Sequence, residues 1–242
     1  LGGTTAERLP AYASFMRYED LATIEKRSAE AVAAGYGFIK LHERTPEAVA
    51  ACRAGGGPDV QIMVDTNCPW SVADAIEIGD EMAAYGVYWL EEPVWPPENF
   101  EGLAEVRANG LCAIAAGENA STAWEFKQMF AAGAVDWAQP SVSKVGGITE
   151  TRKISVLADA ANVGIALHSP YFGPGFIASL HLVAAHVGRK GPVERLYGTM
   201  EASLYGDWVN PGPDGCYALP GGPGLGVEPD KDVMRDFVKK GV

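Results

Sequence analysis

Four cysteines in 242 residues, Cys52, Cys68, Cys112 and Cys216, form no CxxC pair and are too sparse for a disulfide scaffold. Positive charge is also scarce. The 19 Lys and Arg against 31 Asp and Glu leave a net charge of −12, with no basic stripe of the kind nucleic acid requires. An anionic substrate therefore needs local positive charge, from a metal or from placed lysines. No run reaches the ~20 apolar residues of a membrane span. The opening LGGTTAERLPAYASF lacks a charged segment followed by an apolar one, so no secretory leader is expected. A reducing cytoplasm fits these absences. The first residue is Leu and a strand follows almost at once, so the chain is expected to be a fragment of a longer protein.

What is present is an ordinary globular composition, 48% hydrophobic and 21% charged, which leaves no room for extended disorder. Short apolar runs alternate with amphipathic helical stretches, the pattern of a parallel sheet wrapped by helices. Eight strands are expected: 11–16, 37–41, 60–64, 87–90, 113–116, 137–139, 165–167 and 195–198. Between them lie LATIEKRSAEAVAAG, TPEAVAACRAGG, SVADAIEIGDEMAAYG, TAWEFKQMFAAG, ITETRKISVLADAANVG and FIASLHLVAAHVG, whose Gly endings are helix stops. Thr45, Ser71, Thr122 and Thr149 are the expected N-caps. The length is close to the ~250 residues of an eight-stranded α/β barrel. A single domain over 1–242 is expected, with strands from about 11 to 200 and a Gly/Pro-rich tail over 201–242 that ends in a short helix near VMRDFVKK.

Asp65 in QIMVDTN, Glu91 in YWLEEP and Glu118 in AIAAGEN each follow a buried-strand run, at steps of 26 and 27 residues (91−65 and 118−91). One acid at a strand end is most often solvated or caps the next helix. Three in register on consecutive strands would converge at the C-terminal rim of a barrel, where they repel unless a cation neutralises them. Hard oxygen ligands without thiolate point to Mg²⁺, with Mn²⁺ as its usual substitute. Lys40 and His42, two residues apart at the end of strand two, face the same way and can both reach that cation. The plainer reading has Lys40 extending its head to water and His42 capping a loop. His168 ends strand seven, across the rim. A lone His there is usually a satisfied core residue, but two histidines on opposite sides of a metal can serve as acid and base on the two faces of one substrate.

MVDTN, WLEEP, GEN, the KVGG after strand six, the strand-seven His and the closing PGLGVEPD together resemble the enolase superfamily, in its mandelate racemase/muconate lactonizing enzyme-like part. The likeness runs from Tyr12 onward. It implies a modified TIM-type (β/α)7β barrel, the C-terminal catalytic domain of such enzymes, and Mg²⁺ stabilising an ene-diolate formed by proton loss α to a carboxylate. It makes Asp65, Glu91 and Glu118 the metal ligands and leaves Glu92 as a neighbour held by Lys or Arg. Asn67 and Asn119 become substrate or supporting contacts. Lys40 matches the first Lys of the KxK motif that binds the substrate carboxylate. Glu194 in VERLY resembles the strand-eight acid beside that carboxylate, with Glu201 as fallback, and Lys144 resembles a structural lysine.

Two departures shift the base machinery. His42 stands where the second Lys of KxK is usual. Ser141 stands where a strand-six acid normally orients the strand-seven His; its hydroxyl can still orient the ring or meet substrate. The N-terminal capping domain of the family is absent from this chain and is expected in the full-length protein. The implied activity is dehydration of a hydroxy or sugar acid by a homo-oligomer. His42, His168 and Lys40 are the catalytic candidates, and Lys40, Asn67, Asn119, Ser141 and Glu194 the substrate-binding ones. Racemisation or epimerisation is the alternative reaction, and a non-catalytic metal-binding barrel the alternative class.

Overall fold

The computed structural model describes residues 1–237. Strands β1 (Leu9–Ser14), β2 (Phe38–Leu41), β3 (Gln61–Asp65), β4 (Val87–Glu91), β5 (Ile114–Ala116), β6 (Trp137–Ala138), β7 (Gly164–Ile165) and β8 (Val193–Leu196) alternate with helices. These are α1 (Leu21–Ala33), α2 (Pro46–Gly56), α3 (Val72–Ala83), α4 (Phe100–Asn109), α5 (Ala123–Ala131), α6 (Ile148–Ala160) and α7 (Pro174–Ala185). Every neighbouring pair in the order β7-β6-β5-β4-β3-β2-β1-β8 is parallel. The ring closes where Ile165 bridges Lys190 just ahead of β8: the Ile165 N–H donates to Arg189 O and the Gly191 N–H to Ile165 O. The result is the (β/α)7β barrel.

Alternation along each strand sorts the core into two bodies. Outward residues such as Ile39, Leu41, Ile62, Val64, Leu90 and Ile114 join the helices in one continuous cluster. Inward residues Tyr12, Met63, Trp89, Ala115, Trp137 and Ala166 form a separate plug inside the barrel. Trp89 meets Tyr12 edge-on, with centroids 6.5 Å apart at 86°. One step further along each inward stripe the residues turn polar: Ser14, Lys40, Asp65, Glu91 and Gln139 stand above the aromatic floor.

The helix caps at Thr45, Ser71 and Thr122 form as expected, each side chain accepting an N–H three residues on. Thr149 is not a cap. Helix α6 starts from Gly147, whose φ of 94° suits only glycine, and this turn places Thr149 inside the first helical turn. Strand β8 begins at Val193 rather than Arg195, because Ala11 to Ser14 of β1 pair with Val193 to Leu196; Glu194 is thereby drawn into the strand. The tail contributes a 3₁₀ turn (Gly206–Val209), a ninth strand β9 (Cys216–Tyr217) antiparallel to the start of β1, and helix α8 (Lys231–Asp236). The last three residues of VMRDFVKK, at 238–240, lie outside the described residues. Among the described residues no helix is long and apolar enough to cross a membrane.

Helices α1 and α2 touch backbone to backbone at Gly55, where an added Cβ would sit 1.9 Å from the Glu25 carbonyl oxygen. Ala normally stabilises a helix interior over Gly by up to ~1 kcal/mol. Here the obstruction is main chain and cannot swing aside, so Gly55→Ala should destabilise by roughly 1–3 kcal/mol. Gly37→Ala, with nothing within 4 Å of its Cβ, serves as control. Chemical unfolding of both variants checks this, and an unweakened Gly55→Ala would mean that the two helices pack differently.

Candidate active site

The polar layer gathers at the C-terminal ends of β2 to β5, where Asp65, Glu91 and Glu118 each bring one carboxylate oxygen within 4.8 Å of the others. Asp65 and Glu91 end adjacent strands and are register partners. Glu118 lies two residues beyond β5, after Gly117 at φ 136°; a Cβ on Gly117 would stand 3.0 Å from the Gln139 amide nitrogen, so the turn needs glycine.

The protein ties down one oxygen of Asp65 and of Glu91. Asn67, at φ 53°, donates its backbone N–H (3.0 Å) and its Nδ2 (2.9 Å) to Asp65 Oδ1. Trp89 Nε1 donates to Glu91 Oε2 at 3.0 Å. The other oxygens share Lys40, whose Nζ is 3.1 Å from Asp65 Oδ2 and 3.0 Å from Glu91 Oε1, and which also pairs with Glu194 Oε1 at 3.3 Å. Lys40 is only 1% exposed, so this ammonium is held by the carboxylates and does not reach water.

The charges divide accordingly. Burial raises the carboxyl of Asp65, but Lys40 and His42 outweigh it and hold Asp65 well below the usual range. Burial pushes Glu91 up to about 7 against the pull of Lys40, with Asp65 and Glu194 adding repulsion. Glu194 is buried on β8, yet Lys40, His168 and the Ser169 N–H together keep it low. Glu201 is exposed in the tail, so the strand-eight acid at the site is Glu194. Glu92 has no Lys or Arg partner among the described residues. Asn119 Nδ2 donates to it at 2.7 Å and Cys68 Sγ at 3.4 Å. Burial, then repulsion from Glu118 and Asp65, pushes Glu92 up to about 8. Lys144 holds the site's frame by donating to the Glu118 carbonyl at 3.0 Å.

The histidines flank the triad on opposite sides. His42 Nε2 lies 3.3 Å from Asp65 Oδ2, and its Nδ1 contacts the Phe15 carbonyl. A carbonyl only accepts, so Nδ1 carries a proton, and Nε2, paired with the Asp65 carboxylate, is the nitrogen left to exchange one. Burial lowers the basicity of His42, but Asp65 more than offsets it. His168 Nε2 lies 2.8 Å from Glu118 Oε2. Ser141 is fully buried, and its hydroxyl meets the hydroxyl of Tyr171, not the imidazole. Asn67 and Asn119 are engaged with Asp65 and Glu92, which makes them supports of the carboxylates.

Three convergent hard oxygens without thiolate fit Mg²⁺. The site also has a buried Gln139 Oε1 that finds no donor among the described residues. Sequence reasoning did not find Trp89 or Gln139. The signal was available for Trp89, which sits two residues before Glu91 on the same face of β4; Gln139 lies just beyond β6 and had no strand face to mark it. Tyr171 gave no such signal, since it lies on a loop.

A family model described as enolase C-terminal domain-like matches residues 24–233. D-galactarolactone cycloisomerase from Agrobacterium fabrum is 32% identical, over 98% of this chain and 67% of that protein. D-gluconate dehydratase from Thermoproteus tenax is 28% identical, over 98% of this chain and 51% of that protein. A mandelate racemase/muconate lactonizing protein from Paracoccus denitrificans, solved in complex with magnesium, superposes with a TM-score of 0.87 at 27% identity, over 97% of this chain and 67% of that one. The chain thus spans about half to two thirds of the curated relatives it matches.

Replacing one converging oxygen should weaken the cation without touching the core. Glu118→Gln is expected to lower Mg²⁺ affinity at least about tenfold, while far-UV circular dichroism stays unchanged. Calorimetric titration of both proteins reads this directly, and equal affinities would remove Glu118 from the site.

Proposed function

Because the chain belongs to the enolase C-terminal domain-like family, we propose that its barrel removes the proton α to the carboxylate of a small sugar acid and expels an oxygen from the neighbouring carbon. The observation that supports this best is the pair of imidazoles on either side of one carboxylate triad, with His42 at Asp65 and His168 at Glu118. Asp65, Glu91 and Glu118 would hold Mg²⁺, or Mn²⁺ in its place, which would supply positive charge beside the substrate carboxylate.

The chain's own residues do the rest. His42, with Nδ1 fixed on the Phe15 carbonyl, presents Nε2 to take the α-proton. His168, across the site, delivers a proton to the departing oxygen. Lys40 is the buried cation toward which the substrate carboxylate is drawn, and Glu194, kept ionised by Lys40 and His168, fixes that ammonium in place. Met16, Trp95 and Met200 stand exposed just beyond strand ends, where a covering segment would exclude water from the mouth.

The identity of the departing oxygen decides the enzyme class. A free hydroxyl leaves as water, and the product is that of a dehydratase. An oxygen tethered in a lactone or anhydro ring leaves without changing the formula, and the enzyme is a cycloisomerase. Dehydration is the reaction we favour. The cycloisomerase reading has its own support in the Agrobacterium relative. Racemisation would use the same two imidazoles without loss of oxygen.

Incubation with Mg²⁺ in D₂O and a panel of D-gluconate, D-xylonate, D-galactonate and galactarolactone tests the proposal. A 2-keto acid should accumulate from at least one of them. Deuterated but otherwise unchanged acid would indicate racemisation or epimerisation, and neither product nor exchange would leave a metal-binding barrel. On the acid that reacts, His168→Asn should cut turnover by about 100-fold or more with Mg²⁺ affinity roughly preserved. Undiminished turnover in that variant would take the acid role away from His168.

A further inference from the structure

The resemblance leaves His168 without the carboxylate expected behind it, since Ser141 occupies that place. The structure fills the gap from another element. Tyr171, on the turn between β7 and α7, places its hydroxyl 3.5 Å from His168 Nδ1, with the two rings edge to face at 5.9 Å and 84°. That distance is at the long end for a hydrogen bond, a range in which contacts of unliganded acid-base groups commonly lie. On its other side the same hydroxyl meets the hydroxyl of Ser141.

Both ends of this short chain are fixed. The Ser141 carbonyl accepts the N–H groups of Lys144 and Val145 at 2.9 Å each, and its side chain is fully buried. The Tyr171 N–H donates to the Ser169 carbonyl at 2.7 Å, and Ser169 is itself held by its N–H to Glu194 Oε2 at 3.0 Å. Tyr171 is therefore placed by the turn after β6 on one side and by β8 on the other, with its hydroxyl against Nδ1 of a histidine whose Nε2 faces the triad.

We propose that Tyr171, fixed by Ser141, is the positioning residue of His168, taking at Nδ1 the place that a strand-six carboxylate would otherwise hold. A carboxylate accepts only and locks the proton on Nδ1. A phenol hydroxyl donates or accepts, so it can follow either tautomer of the ring while holding its plane. It also brings no fifth negative charge to Asp65, Glu91, Glu118 and Glu194. Burial raises the phenol above its ordinary range, the Ser141 hydroxyl pulls it down, and Glu194 and Glu118 raise it further, so the hydroxyl keeps its proton at neutral pH. The catalytic consequence depends on the acid role proposed for His168; the contact itself does not.

The test reads the two separately. Histidine-selective ¹⁵N labelling of the full chain shows four rings, His42, His168, His181 and His186, and the His168 signals are identified by their loss in His168→Asn. In Tyr171→Phe the His168 ring nitrogens should move while those of His42 stay in place. Ser141→Ala, which makes no direct hydrogen bond to the ring among the described residues, should move the same signals, and it supplies the readout if the tyrosine variant fails to fold. On a sugar acid that is turned over, Tyr171→Phe should lower kcat about 10- to 100-fold with KM and Mg²⁺ affinity within roughly twofold. Unmoved His168 nitrogens overturn the contact, and moved nitrogens with unchanged kcat overturn the positioning role. A chain inactive on every acid would sink the proposed reaction and leave the nitrogen result standing.

Discussion

One buried ammonium governs this molecule. Lys40 sits almost wholly out of water with Asp65, Glu91 and Glu194 around it, and Glu118 completes a set of four carboxylates on the same rim. Removing a charge from water costs several kcal/mol even after relaxation, and one lysine balances only one of the four negative charges. The protein meets part of the remainder with neutral donors: Asn67, Trp89 and the Ser169 N–H each take a carboxylate oxygen. What is left over shows in Glu91, pushed up to about 7 by burial first and then by its like-charged neighbours. A site built this way is unfavourable until a cation enters. The converging oxygens of Asp65, Glu91 and Glu118 could hold such an ion.

The charged layer is tolerable because of what lies beneath it. Tyr12, Trp89 and Trp137 fill the barrel as a plug, so water reaches the carboxylates only from the mouth. Trp89 belongs to both layers: its ring packs in the floor while its indole N–H orients Glu91. The same period of two that sends Leu90 outward to the helices points Trp89 and Glu91 inward, so five residues of β4 specify the packing and place a carboxylate at the rim together.

That coupling explains which features could be read from the sequence. Strands in a closed parallel barrel are short apolar runs, and an acid at the end of three consecutive ones recurs at the length of one strand-helix unit; the positions of Asp65, Glu91 and Glu118 at the rim follow from spacing alone. Lys40, His42 and Glu194 follow from alternation and from the family likeness. Features that depend on contacts between distant elements were not legible. Strand β9 exists only because the tail folds back onto Leu9 and Pro10. The start of α6 at Gly147 is set by a backbone angle. Glu92 finds Asn119 and Cys68 rather than a basic partner, a pairing set by where the loops after β3 and β5 fall. Tyr171 reaches His168 through a loop whose path no periodicity encodes.

The two histidines end up chemically unlike, although the sequence presents them alike. His42 has a carbonyl behind Nδ1, which fixes its tautomer and leaves Nε2 as its one exchangeable nitrogen. His168 has a phenol there, which imposes no tautomer. A group that must collect a proton from carbon gains from being held ready in one form, since the proton always arrives from the same side. A group that must release a proton to a leaving oxygen and be refilled gains from a partner that adapts to both of its states. In the proposed reaction this asymmetry favours His42 as base and His168 as acid.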